Sequence, residues 1–249
     1  MNQEVKYTYI NPIRDENQIL QFRRASELTD CVFAKLLAKV CVGMSEVEVQ
    51  ALLDDCVENT AQITEENISL AFSIIESGER TSLLHGRATD RILNNGEFVT
   101  IDFGLDYKEV RTDFTRTFVI GKADQHKKDV YSIVKKAYEK ARNEICCGMT
   151  GIQADALARD LIAKEGYEFI HGLGHGLARR SKQNRSHIIT DNILLNLDTK
   201  TVLNENMVFT IEPGIYLDGN FGVRIEDTVL LTKKGIERLT QFPYELIEV

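Results

Sequence analysis

Proline is scarce in this chain, three residues in 249, and no Pro/Gly/Ser-rich linker or low-complexity segment divides it. Long apolar runs are missing too. None approaches the ~20 residues a helix needs to cross a bilayer, so no membrane partner is expected. The opening Met1-Asn2-Gln3-Glu4-Val5-Lys6 lacks the basic-then-apolar order of a signal peptide. Positive charge is in deficit: 30 Lys and Arg against 38 Asp and Glu leave a net −8. Nucleic-acid phosphates are bound by dense Lys and Arg, so nucleic acid is not expected as a partner either. Cysteines number five, an odd count, with no C-x-x-C spacing for zinc. They are read as reduced thiols of a cytoplasmic protein, with adjacent Cys146 and Cys147 packing at a helix end. What is plentiful is apolar side chain, 43% of residues, enough for a substantial core in one large domain or two small ones.

Two segments nearly repeat each other. Thr100-Ile101-Asp102-Phe103-Gly104 is followed by Arg111-Thr112-Asp113, and Thr210-Ile211-Glu212-Pro213-Gly214 by Arg224-Ile225-Glu226. A second pair, Gly43-Met44-Ser45 and Gly148-Met149-Thr150, precedes apolar-periodic runs. Ser45 and Thr150 stand where a helix N-cap belongs, so each string reads as the turn between two helices. The repeats lie 105 and 110 residues apart, too far for a solenoid and suited to one domain built from two related halves.

Each half then holds two helices followed by strands. The pattern predicts helices around 14–42, 45–59, 124–147 and 150–165. Strands are expected near 69–76 and 168–172, with hairpins at 97–120 and 206–231. In Phe98-Val99-Thr100-Ile101-Asp102-Phe103, alternation puts Phe98, Thr100 and Asp102 on one face. Helix pairs over antiparallel hairpins give an α+β sandwich, and symmetry brings the two acid-bearing hairpins together near its centre.

Four carboxylates on apolar strands are costly to bury unless something neutralises them, and a metal ion does so well. His171-Gly172-Leu173-Gly174-His175-Gly176 adds imidazole, which with carboxylates suits manganese, cobalt or zinc. One histidine and four acids exceed the needs of a single open ion. They fit a pair about 3.5–4 Å apart.

These motifs resemble the pita-bread metallopeptidases, the family of methionine aminopeptidase, aminopeptidase P, prolidase and creatinase. The strings His85-Gly86-Arg87-Ala88-Thr89-Asp90-Arg91, Asp113-Phe114-Thr115-Arg116-Thr117 and Gly222-Val223-Arg224-Ile225-Glu226-Asp227 are most similar to the aminopeptidase P and prolidase branch. The resemblance implies a pita-bread domain over 14–249 behind an N-terminal extension, 1–13. It implies two divalent ions, manganese first with cobalt or zinc as alternatives, on Asp102, Asp113, His175, Glu212 and Glu226. Asp113 and Glu226 would bridge the ions, Asp102 would chelate one, and His175 and Glu212 would bind the other. Glu212 would also take the proton of a bridging hydroxide's parent water. His85 and His171 match histidines that orient substrate, and Arg224 would steady a ligand carboxylate.

The activity implied is removal of the N-terminal residue of a peptide substrate, preferably before proline. Methionine aminopeptidase or dipeptidase specificity, and a peptide-binding member without turnover, stay open as alternatives, as does a homodimer. One position departs from the pattern. The family histidine seven residues after His175 is here Lys182, with His187 as a displaced replacement, and the basic run Arg179–Arg185 is read as a solvated loop. His126 is read as a surface residue.

Overall fold

The computed structural model describes residues 6–177, 179–180 and 187–249, with Arg179, Arg180 and His187 described by backbone. Lys182, the rest of the 181–186 basic run and the side chain of His187 lie outside the described residues. The first half runs β1 (Lys6–Tyr9), α1 (Glu16–Leu37), α2 (Glu46–Thr64) and β2 (Ile68–Ser77). A 3-10 turn (Gly78–Ser82) follows, then β3 (Phe98–Tyr107), β4 (Val110–Arg111) and β5 (Phe114–Val119). The second half opens with α3 (Gln125–Glu144) and α4 (Gly151–Lys164). Short strands β6 (Gly174–His175), β7 (Arg179–Arg180), β8 (His187–Thr190) and β9 (Leu194–Leu195) precede β10 (Val208–Ile211), β11 (Gly214–Leu217), β12 (Phe221–Arg224), β13 (Asp227–Thr232) and β14 (Gly235–Arg238).

The helix starts follow from their caps. Asp15, Ser45 and Thr150 each close a capping box with the residue three positions on, Gln18, Glu48 and Gln153, so two otherwise orphaned backbone donors are met at each start. The two Gly-Met turns are tied down identically. Gly43 N–H donates to Leu93 O at 3.0 Å and Leu93 N–H to Met44 O at 2.8 Å; Gly148 N–H donates to Leu203 O at 2.8 Å and Leu203 N–H to Met149 O at 2.8 Å. Gly43 and Gly148 have φ of 90° and 91°, backbone that a β-carbon would strain. The duplication read from sequence is thus physical down to single hydrogen bonds.

Three antiparallel strands, β2-β3-β5, carry the first half, with Asp102 between Ile74 and Thr115 in register. β10 pairs β13 and β11 pairs β12 in the second. The halves join where Thr115 and Glu226 bridge: Glu226 N–H donates to Thr115 O at 3.1 Å and Thr115 N–H to Glu226 O at 3.4 Å. One apolar cluster packs α1 and α2 on the first ladder through Phe33, Phe103, Phe114 and Phe118. The other packs α3 and α4 on the second through Val134, Tyr138, Ala158, Ile162 and Phe209. The acid-bearing strands lie between these two cores.

Two expectations are corrected. The strand expected at 168–172 is irregular, and regular pairing starts only at Gly174. Side chains of α4 take its backbone partners: Arg159 donates to the carbonyls of Phe169 and His171, and Asp155 accepts from Leu173 N–H at 3.0 Å. Cys146 and Cys147 are exposed just after α3; the residue that packs at that helix end is Ile145. His126 is exposed as expected, and among the described residues no helix is long and apolar enough to cross a membrane.

Candidate metal centre

Five polar side chains from both halves converge on one cavity of about 350 Å³. β3 supplies Asp102, the residue before β5 supplies Asp113, and β6 ends on His175. Glu212 follows β10, and Glu226 sits between β12 and β13, at the bridge to Thr115. His175 Nε2 lies 3.3 Å from Glu212 Oε1 and 3.7 Å from Asp113 Oδ2. Ligating atoms of Asp113, His175 and Glu226 all fall within 4.8 Å of one another, a group able to hold a metal ion.

The electrostatics of the cluster favour a cation. Burial, with Asp102 and Glu212 close by, pushes the Asp113 carboxyl well above the carboxylate range; burial and the neighbouring acids do the same to Glu226. Burial also raises Glu212. Enclosure by protein pushes His175 down, yet Glu212 and Asp113 outweigh it and lift the imidazole to about 9. Among the described residues, Asp102 Oδ1 and Glu226 Oε1 are buried without a hydrogen-bond partner. Orphaned anionic oxygens cost stability unless a cation meets them. The donor set, four carboxylates and one imidazole, therefore fits divalent ions.

Arg224 organises the cluster. Its Nη2 donates to Asp102 Oδ2 at 2.8 Å, its Nη1 to Tyr216 Oη at 3.0 Å and its Nε to Thr115 Oγ1 at 3.3 Å. Thr115 in turn donates to Glu226 Oε2 at 2.6 Å. One guanidinium thus orients two of the acids. Glu226 is held from its backbone as well, because Arg116 Nη1 donates to its carbonyl at 2.6 Å while Nη2 pairs with Asp227 at 2.7 Å. Thr210 links the rest: its Oγ1 accepts from His175 N–H at 3.0 Å and donates to Glu212 Oε1 at 3.3 Å.

Two further histidines, His85 and His171, line the cavity. His171 Nδ1 is 2.8 Å from Gly172 O, which only accepts, so this nitrogen carries the proton. Burial holds the ring neutral with a pKa of about 4, leaving Nε2 to accept from Tyr216 Oη at 2.9 Å. His85 lies on the loop after the 3-10 turn and is exposed toward the cavity. Phe72, Ile74 and Leu84 form its apolar wall. The sequence motifs assign no role to Tyr216, Thr115 or Thr210. For Tyr216 a faint signal exists: it stands across the β11-β12 hairpin from Gly222, where a side chain would meet its ring.

A two-half α+β sandwich with acids at its seam defines a class of metal-dependent hydrolase folds, and the comparisons narrow it. Metallopeptidase family M24 matches residues 21–233, and the chain belongs to that family. The Xaa-Pro dipeptidase of Pyrococcus horikoshii is 37% identical over 239 residues, covering 94% of this chain and 64% of that protein. The solved X-Pro aminopeptidase of Thermotoga maritima superposes with a TM-score of 0.86 at 35% identity, over 96% of this chain and 65% of that one. The Pyrococcus furiosus prolidase gives 0.84 at 35%, over 94% and 66%. The fold is the pita-bread fold of these enzymes. The chain spans just under two thirds of the length of the curated relatives it matches.

Proposed function

We propose that this chain is a metal-dependent exopeptidase that removes the N-terminal residue from peptides, with proline preferred in the second position. The observation that carries the reading is the convergence of Asp102, Asp113, His175, Glu212 and Glu226 on one cavity, with an orphaned oxygen on Asp102 and on Glu226 and with Arg224 bracing the set. Two divalent ions, manganese first and cobalt or zinc next, would be held with Asp113 and Glu226 shared. Asp102 would serve one ion, and His175 with Glu212 the other. Bound there, such ions would polarise the scissile carbonyl and lower the pKa of the attacking water. Glu212 would be the group that accepts the proton of that water and passes it to the leaving amine. His85 donates to the peptide from the open side of the cavity. His171 has both ring nitrogens engaged, so it shapes the wall through Tyr216 rather than donating freely. The wall of Phe72, Ile74 and Leu84 receives an apolar substrate side chain. The catalytic unit is residues 14–249, in the cytoplasm.

Metal analysis followed by a panel of Xaa-Pro, Xaa-Pro-Yaa and Met-Ala-Yaa peptides with each ion tests this. Cleavage of Xaa-Pro-Yaa that is lost in Asp102→Asn supports it. Cleavage of Xaa-Pro alone shifts the reading to a dipeptidase, as in the Pyrococcus relative. Peptide binding without cleavage by any ion would leave a binding protein.

A further inference from the structure

Glu76 is a buried carboxylate that the chemistry above does not use. It lies on β2, opposite Thr100 in register and two residues beyond Ile74, so it faces the same side of the sheet as the cavity wall. It is 0% exposed. Its Oε1 accepts one hydrogen bond, from the Gly86 backbone N–H at 2.6 Å, and its Oε2 has no partner among the described residues. Nearby Glu46 shows what a carboxylate in a purely structural role looks like here. It accepts from Ser77 N–H, Ser77 Oγ, Thr89 N–H and Thr89 Oγ1 at 2.7–3.0 Å and pairs with Arg80 at 3.1 Å. Glu46 pins both ends of the 77–89 loop. Glu76 pins a point between them, at the residue next to His85.

We propose that Glu76 is a positioning residue for His85, holding the Gly86 amide so that the imidazole stays at the mouth of the metal cavity. The fit is close. A β-carbon on Gly86 would run into Glu76 Oε1, so glycine is what lets the carboxylate reach this amide. Burial pushes the Glu76 carboxyl up to about 7, against the Gly86 hydrogen bond and the Arg224 and Arg80 guanidiniums. A half-satisfied buried acid is a poor choice for stability alone, since an apolar side chain would avoid its desolvation. The cost is explained if the single bond it makes serves the loop that carries His85.

This role rests on the peptidase reading, and the test separates the two. Glu76→Leu, Glu76→Gln, His85→Ala and the Glu76→Leu/His85→Ala double variant are compared as metal-loaded proteins. Activity on an Xaa-Pro-Yaa peptide, melting temperature and amide exchange at residues 84–88 are measured. Glu76→Leu should lower kcat/KM about 10- to 100-fold, the scale of a misplaced acting group, mainly in kcat. It should also speed Gly86 amide exchange by about tenfold or more, as expected when a local hydrogen bond is lost. Glu76→Gln keeps an acceptor for Gly86 and should restore most of the activity. In the His85→Ala background, Glu76→Leu should cost nothing further. Unchanged Gly86 exchange, losses that multiply in the double variant, or a lower melting temperature with activity per folded molecule intact would each overturn the role. Equal activity of wild type and His85→Ala would remove the catalytic reading itself, and the positioning role with it. A loss in His85→Ala with none in Glu76→Leu would overturn the positioning role alone.

Discussion

At the scale of single residues, Arg224 sets the terms of the site. A guanidinium is planar and presents donors in a fixed fork, and here the fork is divided among Asp102, Tyr216 and Thr115. Lysine supplies one charged point and cannot hold all three. Arg224→Lys should therefore weaken metal affinity about 10- to 100-fold, the usual cost of losing a residue that orients ligands. Titration of metal into the apo protein measures it, and unchanged affinity would show that the acids need no brace. Neither Tyr216 nor Thr115 advertises itself in the sequence. Tyrosine and threonine on strands are ordinary; only the meeting of β5 with β12 gives Thr115 its partners, and Tyr216 meets Arg224 across the β11-β12 hairpin and His171 from the loop before β6. Asp102 and Glu226 were legible because a carboxylate among Ile, Val and Phe is not ordinary.

Secondary structure adds a second level. The second helix of each pair, α2 or α4, starts from a capping box at the duplicated turn, and removing the Ser45 hydroxyl strands the Glu48 backbone donor it serves. Ser45→Ala should cost about 1 kcal/mol, read as a lower denaturant midpoint with unchanged slope. A different link joins α1 to the C-terminal segment. Asp30 accepts from Gln241 N–H at 2.6 Å and Phe242 N–H at 3.1 Å, and burial raises its carboxyl to about 6. Below an unfolded value near 3.8 it is protonated in both states and contributes no slope. Between there and about 6 the folded state keeps a proton the unfolded chain has lost, so Asp30 makes stability fall as pH rises, and the penalty is complete above about 6. Asp30→Asn should flatten stability against pH across that window; an identical slope in the variant would remove Asp30 as its source. The segment at 168–172 is where pattern reading failed. Its apolar and glycine content looks like a strand, but Arg159 and Asp155 on α4 capture its backbone groups before a neighbouring strand can.

Over the whole molecule, the acids act as a strain that a cation relieves. Asp113, Glu212 and Glu226 come from both halves, and each is disfavoured in its ionised form by burial. Ions that bind only the folded state stabilise it by mass action, about 2.7 kcal/mol at a hundredfold excess over Kd. Chelation should lower the melting temperature by several degrees and restoring manganese should recover it. A melting temperature indifferent to chelator would count against the site. The Asp102→Asn variant should show a smaller shift than wild type.

The sequence by itself determined the duplication, the helix caps and the alternation that puts Asp102 on one strand face, while the choice of the five side chains came from its resemblance to a family. These are local matters, set by side-chain chemistry and by spacing within a strand or turn. Only the tertiary structure decided which faces meet. The Thr115–Glu226 bridge brings the halves into register, Arg224 spans that seam, and Glu76 reaches Gly86 across a loop. Such contacts join residues ten to more than a hundred positions apart, and no local pattern encodes which of many buried polar groups will find each other once two cores have closed around them.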